Sequence, residues 1–151
     1  INMTKDWHAK FFILADDFEI AGNKFLKETK VYIRNNDDFL IHCLYEPEIQ
    51  GYKIKKENYR RPFFMGSTNF QLYPDGVLQY FIPAEEVEIQ GVGCKPSATR
   101  GGVNLYHDGS LQECTSSKMQ IIQGVQVEKN FRLKFSKQGK LTFAKKEKFF
   151  E

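Results

Sequence analysis

The side chains of this chain best suited to bind a transition metal are three histidines and three cysteines. They are His8, His42, His107, Cys43, Cys94 and Cys114. A zinc site usually draws two ligands from a short spacing such as Cys-x-x-Cys or His-x-x-x-His, and neither spacing occurs here. His42 and Cys43 are neighbours, so on a strand their side chains would point to opposite faces. We therefore expect no metal site and no cofactor.

The cysteines leave the redox state of the chain open, because an odd number does not complete a disulfide framework. One bridge with a free thiol and three free thiols both fit the count. Cys43 and Cys114 precede Ile-Gln-Gly tripeptides at positions where another copy has Phe81. A position that takes Phe or Cys is most simply a buried apolar one. The copy with Phe81 should separate Cys43 from Cys114, whereas a bridge between Cys94 and Cys114 stays open.

Adjacent carboxylates occur at three places and raise the question of acid–base catalysis. They are Asp16-Asp17, Asp37-Asp38 and Glu85-Glu86. Glycoside hydrolysis needs two carboxylates that face each other across a cleft, which adjacency in sequence does not provide. Asp residues in turns instead accept hydrogen bonds from the local backbone. The chain also has no Gly-x-Ser-x-Gly motif, so we predict no catalytic residues and a protein that is not an enzyme.

The strongest candidate for binding is a basic and aromatic segment, residues 53–65 (KIKKENYRRPFFM). Its candidate binding residues are Lys53, Lys55, Lys56, Tyr59, Arg60, Arg61, Phe63 and Phe64. Cations interleaved with aromatic rings suit an anionic and partly apolar partner, such as a lipid headgroup region, an acidic protein or a single-stranded nucleic acid. The alternative is a solvated loop whose aromatic rings pack against the rest of the protein.

Composition narrows the class of protein. The 151 residues carry 22 basic and 19 acidic side chains and are 41% hydrophobic, which fits one folded domain with a real core. A net charge of +3 is too small for the dense basic face of a nucleic-acid binder. No apolar run is long enough for a transmembrane segment. The chain begins at Ile1 without a visible signal peptide, and we expect an exported or periplasmic location in preference to a cytoplasmic one.

Two short signals recur in phase along the chain. Ile-Gln-Gly occurs at residues 49–51, 89–91 and 122–124, with a looser copy, Ile-Ala-Gly, at 20–22. Each is followed by Asp-Gly-x-Leu or a variant of it. Such phased recurrence is typical of repeat proteins. We expect the glycines of both signals to form structural turns: Gly22, Gly51, Gly76, Gly91, Gly109, Gly124 and Gly139.

Apolar residues alternate with polar ones before each Asp-Gly, which predicts β-hairpins. If Asp75-Gly76 is a two-residue type I′ loop, one apolar face contains Phe70, Leu72, Val77 and Phe81, with Val103, Leu105, Cys114, Leu133, Phe135 and Ala144 in the later hairpins. The other face then contains Tyr73, Leu78 and Tyr80, followed by Tyr106, Leu111, Glu113, Lys134, Leu141 and Phe143. A three-residue loop would reverse this parity.

The hairpin motifs resemble those of MORN-type repeat proteins, in particular the divergent bacterial kind. The resemblance rests on residues 72–78 (LYPDGVL) and 105–111 (LYHDGSL), with a weaker third copy, and covers roughly residues 18–143. It implies a structural, protein-binding or lipid-associated module, and it offers no catalytic residues to transfer.

We predict an all-β fold, in which about four hairpin repeats form a repetitive antiparallel meander and an elongated twisted sheet. Residues 1–151 form one repeat domain: 1–17 an N-terminal cap, 18–143 the repeats, and 144–151 a tail or truncated repeat. We expect a non-catalytic structural or protein-interaction module with an unknown protein or surface partner. The alternative is a protein that binds lipid or an apolar ligand on its apolar sheet face. Self-association through sheet edges also fits this fold.

Overall fold

The computed structural model of the chain describes residues 10–20, 22–34, 36–56, 70–96 and 102–146. Within these ranges the secondary structure is entirely β, which confirms the predicted fold class. Nowhere in them does a helix reach the length and hydropathy needed to cross a bilayer. The described strands are β1 (Lys10–Ile13), β2 (Phe18–Ile20), β3 (Asn23–Phe25), β4 (Lys30–Ile33), β5 (Phe39–His42), β6 (Glu48–Ile49), β7 (Tyr52–Lys53), β8 (Phe70–Leu72), β9 (Leu78–Phe81), β10 (Val87–Ile89), β11 (Val92–Cys94), β12 (Val103–Leu105), β13 (Leu111–Thr115), β14 (Gln120–Ile122), β15 (Val125–Val127), β16 (Phe131–Phe135) and β17 (Leu141–Lys146).

Two kinds of hairpin alternate along the described chain. Nine strands form one sheet in the order β1-β4-β5-β8-β9-β12-β13-β16-β17, which is the predicted meander. The remaining strands pair only locally, as β2-β3, β6-β7, β10-β11 and β14-β15. We call these four the short hairpins. Each short hairpin contains one Ile-x-Gly signal at its turn. Contacts divide the chain into two compact units, residues 1–79 and 80–151.

The hairpins of the large sheet turn through three residues, so the predicted two-residue loop at Asp-Gly is wrong. The Tyr106 N–H donates to Ser110 O at 2.8 Å, and the Gly109 N–H donates to Tyr106 O at 2.9 Å. Gly109 has a positive φ of 86°. This pattern is a turn followed by a left-handed residue, the common three-residue hairpin loop. The same pair of bonds closes the loops at 34–38, 73–77 and 136–140.

The three-residue loop changes which side chains face the core. Leu105 pairs with Leu111, but Asn104 pairs with Glu113, so a bulge follows the loop. The leucine after each Asp-Gly therefore turns inward. Leu78 and Leu111, predicted on the outer face, are buried. Val77, predicted on the apolar face, is half-buried.

Beyond the bulge the predicted faces hold. Eight residues of the predicted apolar face are buried: Phe70, Leu72, Phe81, Val103, Leu105, Cys114, Leu133 and Phe135. Ala144, also predicted on this face, is half-buried. Glu113, Lys134 and Phe143 are cross-strand neighbours on the outer face.

The two-residue type I′ geometry occurs in the short hairpins instead. Ile49 pairs directly with Tyr52, which leaves Gln50-Gly51 as the loop. Gln50 has φ 52° and Gly51 has φ 85°, and a type I′ turn needs positive φ at both positions. A glutamine in this region is uncommon and costs free energy, so another interaction has to offset that cost.

The glutamine side chain supplies that interaction. Its Nε2 donates to Gly76 O at 2.8 Å, and its Oε1 accepts from the Leu78 N–H at 3.1 Å. Gln123 makes the same two bonds in the second unit, to Gly139 O at 2.7 Å and from the Leu141 N–H at 3.0 Å. Gln90 accepts from the Leu111 N–H at 3.1 Å. We call this arrangement the glutamine clamp, and it joins the two recurring sequence signals physically.

Within each unit the core lies between the large sheet and the short hairpins. In the first unit the ring of Phe25, from β3, stacks on that of Phe70, from β8, with centroids 5.9 Å apart. In the second unit Cys94, at the end of β11, forms a β-bridge with Ser116 just after β13. The isoleucine of every Ile-x-Gly signal is buried: Ile20, Ile49, Ile89 and Ile122. The short hairpins thus cover the apolar face of the sheet.

Candidate functional site

The predicted basic and aromatic segment lies only partly within the described residues. Lys53, Lys55 and Lys56 are exposed and flank the fully buried Ile54. Ile54 therefore anchors the start of the segment to the core, with its N–H donating to Pro47 O at 2.9 Å. The other predicted binding residues, Tyr59, Arg60, Arg61, Phe63 and Phe64, lie outside the described residues.

The predicted turn glycines all have positive φ. Gly22, Gly51, Gly91 and Gly124 lie at the tips of the short hairpins, and Gly76, Gly109 and Gly139 lie in the loops of the large sheet. These glycines turn the chain. Six of the seven are exposed, whereas Gly76, whose carbonyl accepts from Gln50 in the glutamine clamp, is buried.

The adjacent carboxylates serve turns. Asp17 Oδ1 accepts from the Lys27 N–H at 3.0 Å, and the buried Asp38 accepts from Asn36 Nδ2 at 2.7 Å. Asp37 has a positive φ of 65° in the first loop of the large sheet. Over the described part of the chain, no group of three His, Cys, Asp or Glu side chains is placed to hold a metal ion.

Burial favours the neutral forms of His42 and Cys43. Burial, and then the charge of Lys30, lowers the pKa of His42 to about 4. Burial raises the pKa of Cys43 to about 11, against opposing hydrogen bonds with Tyr45 and Thr29. A thiol with such a pKa holds almost no thiolate at neutral pH, and the thiolate is the nucleophile. Cys43 is therefore a weak nucleophile, and His42 is neutral at pH 7.

A surface that the sequence reasoning missed is the best-formed candidate site: the hairpin β14-β15. Its residues 119–127 (MQIIQGVQV) carry no charge. Met119, Ile121 and Val125 are 63%, 76% and 45% exposed. Met119 and Ile121 lie two residues apart and so share the outer side of the hairpin, and we call these two side chains the apolar patch. Val125 is paired with Ile122 and lies on the inner side, next to the turn. The pair Ile121-Ile122 could have predicted this surface from the sequence. Adjacent residues on a strand point to opposite sides, so the two isoleucines cannot both enter the core.

The hairpin that carries the apolar patch is held firmly at both ends. At its tip, Gln123 makes the glutamine clamp to the loop at 136–140. At its base, the Gln120 side chain accepts from the Gly93 N–H and donates to Gly93 O, each at 3.0 Å. Ile122 and Val127 bury the inner side of the hairpin. The exposed side is thus presented on a rigid support.

A cleft opens beside the apolar patch within the second unit. It has a volume of about 260 Å³ and lies between the short hairpins β10-β11 and β14-β15. Val92, Ile121, Ile122 and Phe135 give it apolar walls, and Gln90 and Gln123 stand on its rim. None of the residues that line it is charged. A small cleft of uncharged polar and apolar residues suits an uncharged side chain of a partner.

Comparison of the chain with protein-family models, with curated proteins and with solved structures gave no match.

Proposed function

We propose that this protein is a non-catalytic, MORN-like interaction module that binds an apolar segment of a partner protein on the β14-β15 hairpin. The observation that carries the proposal is the 76% exposure of Ile121 on a hairpin clamped at tip and base. Large exposed apolar side chains that are grouped together mark interaction surfaces. Rigid presentation lowers the entropy cost of binding.

The cleft gives the patch a place for a partner side chain. An aliphatic or aromatic side chain entering it would lie against Ile121, Val92 and Phe135. Burying one such side chain contributes about 2 kcal/mol. The side-chain amides of Gln90 and Gln123 already bond within the protein, so the partner would bind through apolar contact. The expected partner segment is therefore short, extended and apolar, with few charges.

The alternative of a lipid or apolar ligand on the apolar sheet face has less support. Phe70, Val103 and Leu133 on that face have no exposed surface, because the short hairpins cover them. The open cleft, at about 260 Å³, is smaller than most pockets for drug-sized ligands. Its uncharged walls also give an anionic headgroup no counter-charge.

Panning a library of phage-displayed twelve-residue peptides on the immobilised protein tests this function. We expect enrichment of peptides rich in Leu, Phe, Trp or Tyr. Their affinity should fall at least about tenfold for Ile121→Asp, which is roughly the loss of 1.4 kcal/mol. The matched control is Phe18→Asp, which changes an exposed residue of the short hairpin β2-β3 in the first unit. Circular dichroism should show both variants folded.

Two results would count against the proposal. One is the absence of any enriched peptide. The other is equal loss of binding for Ile121→Asp and Phe18→Asp. Co-sedimentation with vesicles of phosphatidylcholine and phosphatidylglycerol separates the alternative, because lipid binding that survives Ile121→Asp would favour a lipid-associated protein instead.

A further inference from the structure

Two thiols of the second unit lie in contact inside the core. Cys94 ends β11 in a short hairpin, and Cys114 lies in β13 of the large sheet. Neither has any exposed surface. Their side chains are within hydrogen-bonding distance of each other. Cys43 belongs to the first unit, where its side chain interacts with Tyr45 and Thr29.

Backbone bonds fix the two segments that carry these thiols. Cys94 is paired with Ser116, the Lys95 N–H donates to Thr115 O at 2.9 Å, and the Ser117 N–H donates to Gly93 O at 3.0 Å. The chain on either side of Cys94 is thereby paired with the chain just after Cys114. A disulfide requires the two sulfur atoms to lie close together. Cys114 lies two residues before Ser116, the bridge partner of Cys94, so the two cysteines are diagonal neighbours on one face of this pairing.

We propose that Cys94 and Cys114 form a disulfide bond when the chain folds in the presence of a small-molecule disulfide. One thiol loses its proton and attacks a sulfur of the oxidant, which releases one small thiol and leaves a mixed disulfide. The second thiol loses its proton and attacks the protein-side sulfur of that mixed disulfide, which releases the second small thiol. Two protein thiols are oxidised by two electrons, and the oxidant is reduced to two thiols.

Burial determines when this reaction is fast. The hydrogen bond to Cys114, and then burial, raises the pKa of Cys94 far above that of a free thiol. The folded reduced protein thus holds almost no thiolate at this site and gives the oxidant no access. The bond should form quickly during folding and slowly once the second unit has closed.

The bond would join a short hairpin covalently to the sheet that it covers. It would close a loop that includes β12 and the turn at 106–110, so the unfolded chain would lose conformational entropy. The β10-β11 hairpin, which contributes Gln90 and Val92 to the cleft, would then be fixed at its base. Oxidation should therefore stabilise the second unit.

Refolding from denaturant with and without a mixture of oxidised and reduced glutathione tests this inference. With glutathione disulfide we expect the intact mass to fall by about 2 Da, the mass of the two hydrogens lost on bond formation. Peptide mapping should find one link, Cys94 to Cys114, with Cys43 still free. The melting temperature should rise by about 5 °C or more relative to the reduced protein. Cys43→Ala keeps only the proposed pair and should behave in the same way.

Three outcomes would overturn the inference. They are glutathione adducts without an internal link, a link that involves Cys43, and a Cys94–Cys114 link that leaves the melting temperature unchanged or lower. Cys114→Ala is the negative control, because it removes one partner of the proposed bond. We expect this variant either to stay reduced or to gain a glutathione adduct at Cys94, and not to form a link between Cys94 and Cys43.

Discussion

The side-chain amide of a single glutamine bonds to two backbone groups of another hairpin, as Gln50 does with Gly76 and Leu78. Gln123 repeats both bonds and Gln90 the second of them. Residue chemistry thus explains why Ile-Gln-Gly and Asp-Gly-x-Leu recur together. The amide suits this role because it carries a donor and an acceptor side by side.

Replacement of Gln50 should destabilise the protein although the residue is exposed at its turn. Gln50→Ala removes both bonds of the clamp and keeps an unfavourable positive φ, so we expect the free energy of unfolding to fall by about 2 kcal/mol. Urea denaturation followed by far-UV circular dichroism measures this free energy. Gln126→Ala, also exposed but bonded only to Met119 and Glu128, should change it by less than about 0.5 kcal/mol. Equal effects would show that the clamp adds nothing.

His42 should make stability depend on pH. Its pKa is lowered to about 4 in the folded protein, from an ordinary value of 6.5. Between these two values the unfolded chain binds more protons, so stability should decrease as the pH falls from about 6.5 to about 4 and should level off below that. Urea midpoints measured across this range check the direction. His42→Gln should flatten the curve, with His107→Gln, a change at an exposed turn, as control. A curve unchanged by His42→Gln would contradict this assignment.

At the scale of elements, the sequence predicted the hairpins and their glycine turns but assigned the type I′ loop to the Asp-Gly hairpins, where it does not occur. The Asp-Gly hairpins have a three-residue loop, and the Gln-Gly hairpins have the type I′ turn. The clamp stabilises the positive φ of the glutamine through hydrogen bonds to residues distant in sequence. Local patterns contain no information about such partners. The same limit applies to Ile121, since alternation shows that Ile121 and Ile122 face opposite ways but not which of them is covered.

Two glycines should respond differently to alanine. At Gly102 an added Cβ would collide with the carbonyl group of Phe81, which belongs to the neighbouring strand β9. At Gly124 nothing lies within 4 Å of that position, but φ is +80°. We expect Gly124→Ala to cost about 1 kcal/mol through backbone strain and Gly102→Ala at least about 2 kcal/mol through displacement of the strand. Chemical denaturation of both variants gives the comparison. A smaller cost for Gly102→Ala than for Gly124→Ala would mean that β9 and the segment before β12 can move apart with little loss of stability.

For the molecule as a whole, the proposed self-association would use the outer strands of the large sheet. Among the described strands, β17 is bonded only to β16. Its exposed lysines, Lys145 and Lys146, are the kind of charge that discourages pairing with another edge. Lys134 and Lys145 also lie 5.1 and 5.6 Å from the centre of the Phe143 ring. The predicted self-association through edges therefore meets a charged barrier at β17.

Removing that charge should promote association. The double variant Lys145→Val and Lys146→Val keeps strand propensity and removes both cations, so we expect dimers or larger species at concentrations where the parent chain shows fewer. Sedimentation velocity at several concentrations measures the distribution. Lys137→Val with Lys140→Val, two exposed lysines of the preceding turn, is the matched control. Identical distributions for the two double variants would argue against the edge as the site of association.

The glutamine clamp has the same hydrogen-bond geometry although the number of residues between its glutamine and its leucine differs from one repeat to the next. The clamp joins residues 28 positions apart for Gln50 and Leu78, 21 for Gln90 and Leu111, and only 18 for Gln123 and Leu141. The bonds are equivalent in each case, and lengthening a flexible connection costs little, since a doubling adds about 0.6 kcal/mol. We therefore expect the segment between a short hairpin and the next long one to accept inserted sequence, which would suit this chain to the grafting of foreign loops.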